Sequence, residues 1–322
     1  MNINDPTNRF ARPGRSSPDH HDMGAIGYYL ALPFIYGIAV LPFPLLYLFS
    51  DVLYVLLYRI IGYRTAVVRE NLRNSFPEKS AAELKRIERT FYRWFCDLVL
   101  ETVKTLVISP AQVKARVFVS GEEVLKKYFA QGRSVILVMG HWGNWELGGA
   151  RFSQLGLHQL YVIYHPLQNR WFDRLVHHMR TRLGNKLYAM NDTMKGMLRD
   201  RGQVTATAFI ADQTPPPERA FWTTFLHQDT PVFLGTEKIA AKLGYPIIYV
   251  GIERVRRGQY AMRFEELASD PAAHPEGQLT LLHTKRLEQD IRRLPAFWLW
   301  SHRRWKHQRP ATPLEAVGVR TS

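Results

Sequence analysis

The sequence predicts an α/β protein, a mixed, mostly parallel sheet flanked by helices and preceded by an N-terminal membrane-embedded helical segment. Three observations predict it. From Val117 onward, short apolar runs alternate with stretches of helical periodicity. From Met23 to Ser50 no residue is charged, and the apolar run resumes after Asp51 as Val52 to Tyr58. The chain has 322 residues, of which 46% are hydrophobic, enough for a substantial core in one large domain or two small ones.

Residues 1–22 are polar, with Pro, Gly, Asn and Ser, and read as a disordered tail. Residues 23–62 are the membrane-embedded segment. A span needs about 20 apolar residues, so one transmembrane helix fits here. Pro33, Pro42 and Pro44 would kink it or divide it into shorter embedded pieces. The segment is too long for an ordinary cleaved signal peptide; a buried hydrophobic hairpin is the alternative. Arg9, Arg12 and Arg15 flank one side and Arg59, Arg64 and Arg69 the other, so the positive-inside rule leaves orientation open. After the basic stretch Arg64–Asn74, Ser80 and Glu83 form a capping box that opens a helix to about Val107, with Leu84, Ile87, Phe91, Phe95 and Leu98 on one face.

Strands are expected at Val117–Ser120, Ser134–Met139, Gln159–Tyr164, Val204–Ala211, Ile247–Glu253 and Tyr260–Phe264. Helices are expected at Glu122–Ala130, Asn144–Gln154, Asn169–Leu183, Met190–Arg201, Gly235–Leu243 and Thr280–Arg293. There is no internal repeat. The catalytic-type domain would run over residues 63–308, with a flexible tail at 309–322.

The formal charge of +15 attracts anionic partners, whether nucleic acid, acidic lipid headgroups or an acidic protein. No zinc-finger spacing, recognition helix or RNP-like run supports nucleic acid. The single cysteine, Cys96, excludes an intrachain disulfide and fits a reducing compartment. No metal-ligand spacing and no nucleotide-binding loop is present, so neither metal nor cofactor is expected.

Four constellations carry chemistry. The first is Gly140-His141-Trp142-Gly143-Asn144-Trp145-Glu146, at the corner between a strand and a helix. A neutral His141 there can take a proton while Glu146 steadies the charge that develops. Free N–H groups at the corner, around Gly143 and Asn144, can help hold an oxyanion. A structural histidine beside an unrelated surface glutamate is the alternative. The second is Asp212-Gln213 followed by Thr214 and three prolines, at the carboxyl end of a strand where α/β sites gather. It reads equally as turn chemistry. The third is Arg180 and Arg182 before Gly184, whose guanidinium forks suit phosphate or are solvated at a helix end. The fourth is Trp298-Leu299-Trp300-Ser301-His302-Arg303-Arg304-Trp305-Lys306. These aromatics and cations can hold a headgroup, stack bases, or pack into the core.

Taken in order, these motifs, with Arg69-Glu70-Asn71-Leu72 and Ser75-Phe76-Pro77 before them, resemble the lipid A biosynthesis acyltransferases, within the wider glycerolipid and lysophospholipid acyltransferase group. The resemblance runs from about Ile26 to Lys306. It implies a glycerolipid-acyltransferase-like fold at the bacterial inner membrane, with the active site facing the cytoplasm. It implies transfer of an acyl chain from an acyl thioester, on acyl carrier protein, to a hydroxyl of a lipid A precursor. By the same resemblance His141 is the general base, Glu146 holds its imidazole, Arg180 and Arg182 bind phosphate, and Asp212 supports the site. Gln213, Arg303 and Arg304 are expected at the substrate. Residues 213–233 lack the glycine-rich form usual after the acid, so a phosphatidylinositol mannoside, an aminolipid or a lysophospholipid stays open as acceptor.

Overall fold

In a computed structural model of the chain, the structure describes residues 18–310. The N-terminal half runs α1 (Pro18–Val40), α2 (Phe43–Tyr54) extended by a π-helical turn (Val55–Ile60), α3 (Thr65–Ser75), α4 (Ala81–Lys104), α5 (Pro110–Lys114), β1 (Val117–Ser120), α6 (Glu122–Ala130), β2 (Val135–Met139) and α7 (Trp145–Ser153). It continues with β3 (Gln159–Tyr164), α8 (Arg170–Thr181), β4 (Lys186–Ala189), α9 (Thr193–Arg199), β5 (Thr205–Ile210), β6 (Ala220–Phe225), β7 (Gln228–Phe233), α10 (Gly235–Leu243), β8 (Ile247–Arg256), β9 (Gln259–Ala268) and α11 (Gln278–Arg293).

Seven strands form one sheet in the order β1-β9-β8-β2-β5-β3-β4. All neighbours are parallel except β8 and β9, which form a long antiparallel ribbon. The expected mixed, mostly parallel sheet with flanking helices is thus observed. β2 lies in its middle. Val135, Ile136, Leu137 and Val138 are all buried, as a strand covered on both faces requires. Its register with β5 pairs Met139 with Ile210, which brings the ends of the two strands together. β6 and β7 form a separate antiparallel hairpin, where the sequence predicts no strand.

Helix starts follow their local chemistry. Ser80 accepts from the Glu83 amide while the Glu83 carboxylate takes the Ser80 N–H, the capping box expected from the sequence. α4 buries Phe91, Tyr92, Trp94 and Leu98 along one face. α3, expected only as a basic stretch, is a helix with Val68, Asn71, Leu72 and Ser75 buried. Asn71 Nδ2 donates to the carbonyls of Trp300 and His302, at 2.9 and 3.1 Å, and so fastens the C-terminal segment.

At the N-terminus, α1 begins at Pro18 and continues through Pro33; the chain breaks instead before Pro42, where α2 starts. The tails expected at 1–22 and 309–322 lie largely outside the described residues. One described stretch, Phe43–Ile60, is long and apolar enough to cross a membrane. α2 and α1 pack against α4 rather than standing apart from the domain.

Replacing Asn71 with alanine removes the donor of two hydrogen bonds, one buried and one part-buried. Chemical denaturation should show about 1–3 kcal/mol lost, and an unchanged midpoint would mean that α3 does not hold the C-terminal segment.

Candidate active site

β2 delivers the chain to Gly140 and His141 at the carboxyl edge of the sheet. There the Trp142 N–H turns back to the Gly140 carbonyl, and Trp142 bridges to Trp298. Gly143 has φ +73°, and a Cβ on it would lie 1.6 Å from the Ile252 carbonyl oxygen, so only glycine makes this corner. Its N–H goes to the Phe297 carbonyl. Asn144 is fully buried and caps α7, its Oδ1 taking the Leu147 N–H at 3.0 Å. Its Nδ2 donates to Glu101 at 2.7 Å. Glu101 also accepts from Tyr47 and Tyr260, and its burial, only partly offset by these bonds, raises its pKa.

Asp212, just past the end of neighbouring β5, meets this corner. Its Oδ1 lies 2.6 Å from His141 Nδ1, and its Oδ2 accepts the His141 backbone N–H and the Trp298 indole N–H, each at 2.7 Å. Burial pushes the Asp212 carboxyl up, but the charge and hydrogen bonds of His141, with the Trp298 bond, outweigh it and hold the pKa at about 2. With Asp212 accepting from Nδ1–H, the imidazole presents Nε2 as its basic nitrogen. Nε2 lies 3.4 Å from the Gln213 amide nitrogen. The ring edge packs on Trp145, with centroids 4.8 Å apart.

His141 borders a cavity of about 520 Å³. Leu137, Met139, Leu160, Val162, Ala208 and Ile210 supply much of its wall from β2, β3 and β5. His141, Glu146, Arg180 and Gln213 are among the polar residues on this lining. Glu146 is bound by Arg180, with Nη2 2.6 Å and Nε 3.1 Å from Oε1. An imidazole held by a buried carboxylate at the wall of an apolar cavity is the arrangement of a general base serving an apolar substrate.

The family model for bacterial lipid A biosynthesis acyltransferase matches residues 17–307. The chain belongs to this family. It is an acyltransferase. Among its relatives is the lipid A biosynthesis palmitoleoyltransferase of Escherichia coli (strain K12), 25% identical over 270 residues, 83% of this chain and 86% of that protein. The lauroyltransferase of the same organism is 24% identical over 290 residues, 88% and 93% of the two chains. Its myristoyltransferase matches at 24% over 155 residues, 48% of each.

Within this family frame, several expected roles change. The carboxylate on His141 Nδ1 is Asp212, not Glu146. The turn at Gly143 starts α7 at Trp145, which places Glu146 in its first turn, where the helix dipole favours an anion and Arg180 of α8 meets it. Arg182 is not free for phosphate: it donates to the carbonyls of Thr105 and Ile108, just past the end of α4. Arg304 is only 2% exposed and donates to the Pro231 carbonyl. Burial lowers its pKa to about 10, against the opposing pull of Asp212. Arg303 is exposed beside it. Neither the Gly143 N–H nor the Asn144 side chain is available to an oxyanion, since both are spent on the fold. The amides of Trp145 and Glu146, in the first turn of α7, lie before the reach of intrahelical bonding. Trp298 and Trp300 are buried, so the C-terminal aromatics form core, not a headgroup or base-stacking surface. Trp298 as a donor to Asp212 escaped the sequence reading; its position 86 residues away carries no local signal.

Two outcomes follow. Gly143→Ala should misplace the corner, and the purified variant should show both a lowered melting temperature and lost turnover; wild-type values for both would refute the close packing on Ile252. Because the Asp212 pKa is depressed below the ordinary 3.8, its stabilisation is complete above that value and is lost as pH falls towards about 2. Urea unfolding between pH about 5 and about 2.5 should show a stability loss in wild type that is smaller in Asp212→Asn; equal slopes would contradict the depressed carboxyl.

Proposed function

We propose that this enzyme is bound to the bacterial inner membrane, its active site facing the cytoplasm, and moves a fatty acyl chain from acyl carrier protein to a hydroxyl of a lipid A precursor. The observation that carries this reading is the His141 imidazole, held by Asp212, on the wall of a largely apolar cavity. Residues 63–308 form the acyltransferase domain and 23–62 its membrane segment. The net charge of +15 suits an acidic carrier protein and an anionic glycolipid alike.

His141 Nε2 takes the proton of the acceptor hydroxyl as the oxygen attacks the thioester carbonyl. Asp212 fixes the tautomer and stabilises the imidazolium that forms. The tetrahedral oxyanion meets the Trp145 and Glu146 amides at the start of α7. Collapse breaks the C–S bond, and the imidazolium returns its proton to the leaving thiolate. The cavity takes the acyl chain and excludes water from the thioester. Glu146 holds Arg180 at the cavity wall, where the guanidinium can meet phosphate of the acceptor or donor. Gln213 lines the approach to Nε2, and exposed Arg303 extends the cationic surface nearby.

The β6–β7 hairpin, within residues 213–233, leads to Phe233 on the cavity wall. Its departure from the usual glycine-rich form favours a second reading, in which the same chemistry serves a phosphatidylinositol mannoside, an aminolipid or a lysophospholipid.

The test is acyl transfer by the purified protein in detergent, crossing acyl-carrier-protein and acyl-CoA donors with a tetra-acylated lipid A precursor and a lysophospholipid. His141→Ala should lower kcat roughly 10²–10⁴-fold. Asp212→Asn should act on kcat, whereas Glu146→Gln should act chiefly on the acceptor KM through Arg180. Transfer to the lysophospholipid alone moves the enzyme to the second reading, and full activity in His141→Ala overturns the mechanism.

A further inference from the structure

The stretch Phe43–Ile60 has the length of a span, about 27 Å at 1.5 Å per residue, yet its two faces are unlike. Leu45, Leu48, Phe49, Val52, Leu56 and Ile60 are exposed as an apolar stripe. The opposite face is bound to polar groups of the catalytic domain along its whole length. The Arg116 guanidinium lies 3.2 Å from the centre of the Phe43 ring. Tyr47 donates to Glu101 at 2.8 Å, and Ser50 to buried Asp97 at 2.7 Å. Asp51, midway along the stretch, accepts from Arg257 at 2.8 Å, and Arg257 also holds Asp97. Tyr58 stacks on Tyr92 of α4, with Lys85 beside its ring.

Arg257 belongs to the turn between β8 and β9. If α2 crossed a bilayer, this turn and the Asp51–Arg257 pair would lie near the middle of the hydrocarbon, where irregular backbone and ions have no water to satisfy them. α1 is constrained in the same way. Near the start of its apolar stretch, Ala25–Val40, Tyr28 packs on Trp171 and Phe172 at the beginning of α8. Near its end Ala39 packs with Met179, late in α8, and Lys104 donates to the Ala39 and Leu41 carbonyls. A spanning helix leaves its domain at one end; the apolar stretch of α1 touches the same domain at both. Its outer face exposes Ile26, Tyr29, Leu30 and Phe34.

We infer that α1 and α2 do not cross the membrane but lie along one leaflet as an in-plane anchor, the exposed stripe entering the acyl region of a bilayer that carries anionic phospholipid. The inference rests on the proposed membrane function and names its geometry. Exposed Arg59, Arg64, Arg89 and Arg93 beside the stripe supply the charge that anionic headgroups meet, as on other interfacial amphipathic helices. α8 joins this anchor to the active site: Trp171 and Phe172 pack on α1, while Val176 and Arg180 line the cavity. A lipid acceptor therefore reaches Arg180 sideways from the leaflet.

Three measurements on the full chain test this. Fluorescent-protein and alkaline-phosphatase fusions should place the N- and C-termini in the same compartment; opposite compartments mean an odd number of crossings and overturn the anchor. In a Cys96→Ser background, Pro42→Cys should resist an impermeant maleimide added outside spheroplasts; labelling there means that the α1–α2 hairpin crosses twice, which also overturns it. Finally, Leu48→Glu with Val52→Glu should cut flotation with phosphatidylethanolamine–phosphatidylglycerol vesicles at least about tenfold, while transfer to a detergent-dispersed acceptor stays within about twofold. Unchanged flotation of the folded variant refutes the stripe as the lipid contact. Topology and flotation do not depend on catalysis, so they stand or fall separately from the acyl-transfer reading.

Discussion

A buried carboxylate organises this enzyme. A charge removed from water costs several kcal/mol unless hydrogen bonds replace the lost solvent, and Asp212 recovers them from two distant parts of the chain. His141 supplies two N–H groups and Trp298 a third. The end of β5, the corner after β2 and the C-terminal segment are thereby bound to one another. The inward turn of the terminal tryptophans has the same origin: Trp298 must reach Asp212, Trp300 packs edge-on against it, and Asn71 holds the carbonyls that follow.

This arrangement divides labour between two carboxylates whose sequence spacing suggested a different assignment. Asp212 sits behind the imidazole, out of solvent, where its charge can set tautomer and orientation. Glu146 faces the cavity with Arg180, where neutralisation by an arginine lets a carboxylate line an otherwise apolar space. The low polarity of that cavity strengthens both interactions.

The sheet was legible because its central strands, Val135–Met139 and Thr205–Ile210, are uncharged runs of strand length, and the fold buries most of both. β4 was missed because it is a four-residue edge strand that begins with an exposed lysine. β6 and β7 were missed because Pro231 and the preceding triple proline imitate a loop, although a two-stranded hairpin tolerates proline. In the site, the order of motifs was legible and their pairing was not. Spacing placed His141 and Glu146 at one corner, but nothing local tells which carboxylate faces Nδ1 when the partner lies 71 residues on. Arginine runs were similarly ambiguous: Arg182 and Arg304 have the chemistry of phosphate ligands, and the fold uses both to satisfy backbone carbonyls. Only tertiary structure separates those two uses.

Glu101 draws a wider consequence. One side chain accepts from Tyr47 on α2, from Tyr260 on β9 and from Asn144 at the cap of α7. The N-terminal helices are therefore a wall of the catalytic domain rather than a detachable tether. A chain trimmed to begin after residue 62 would bare Asp97 and Glu101, both almost wholly buried in the intact protein, and unsettle the cap that fixes the corner carrying His141. Solubility gained by trimming would come at the expense of the corner that carries His141.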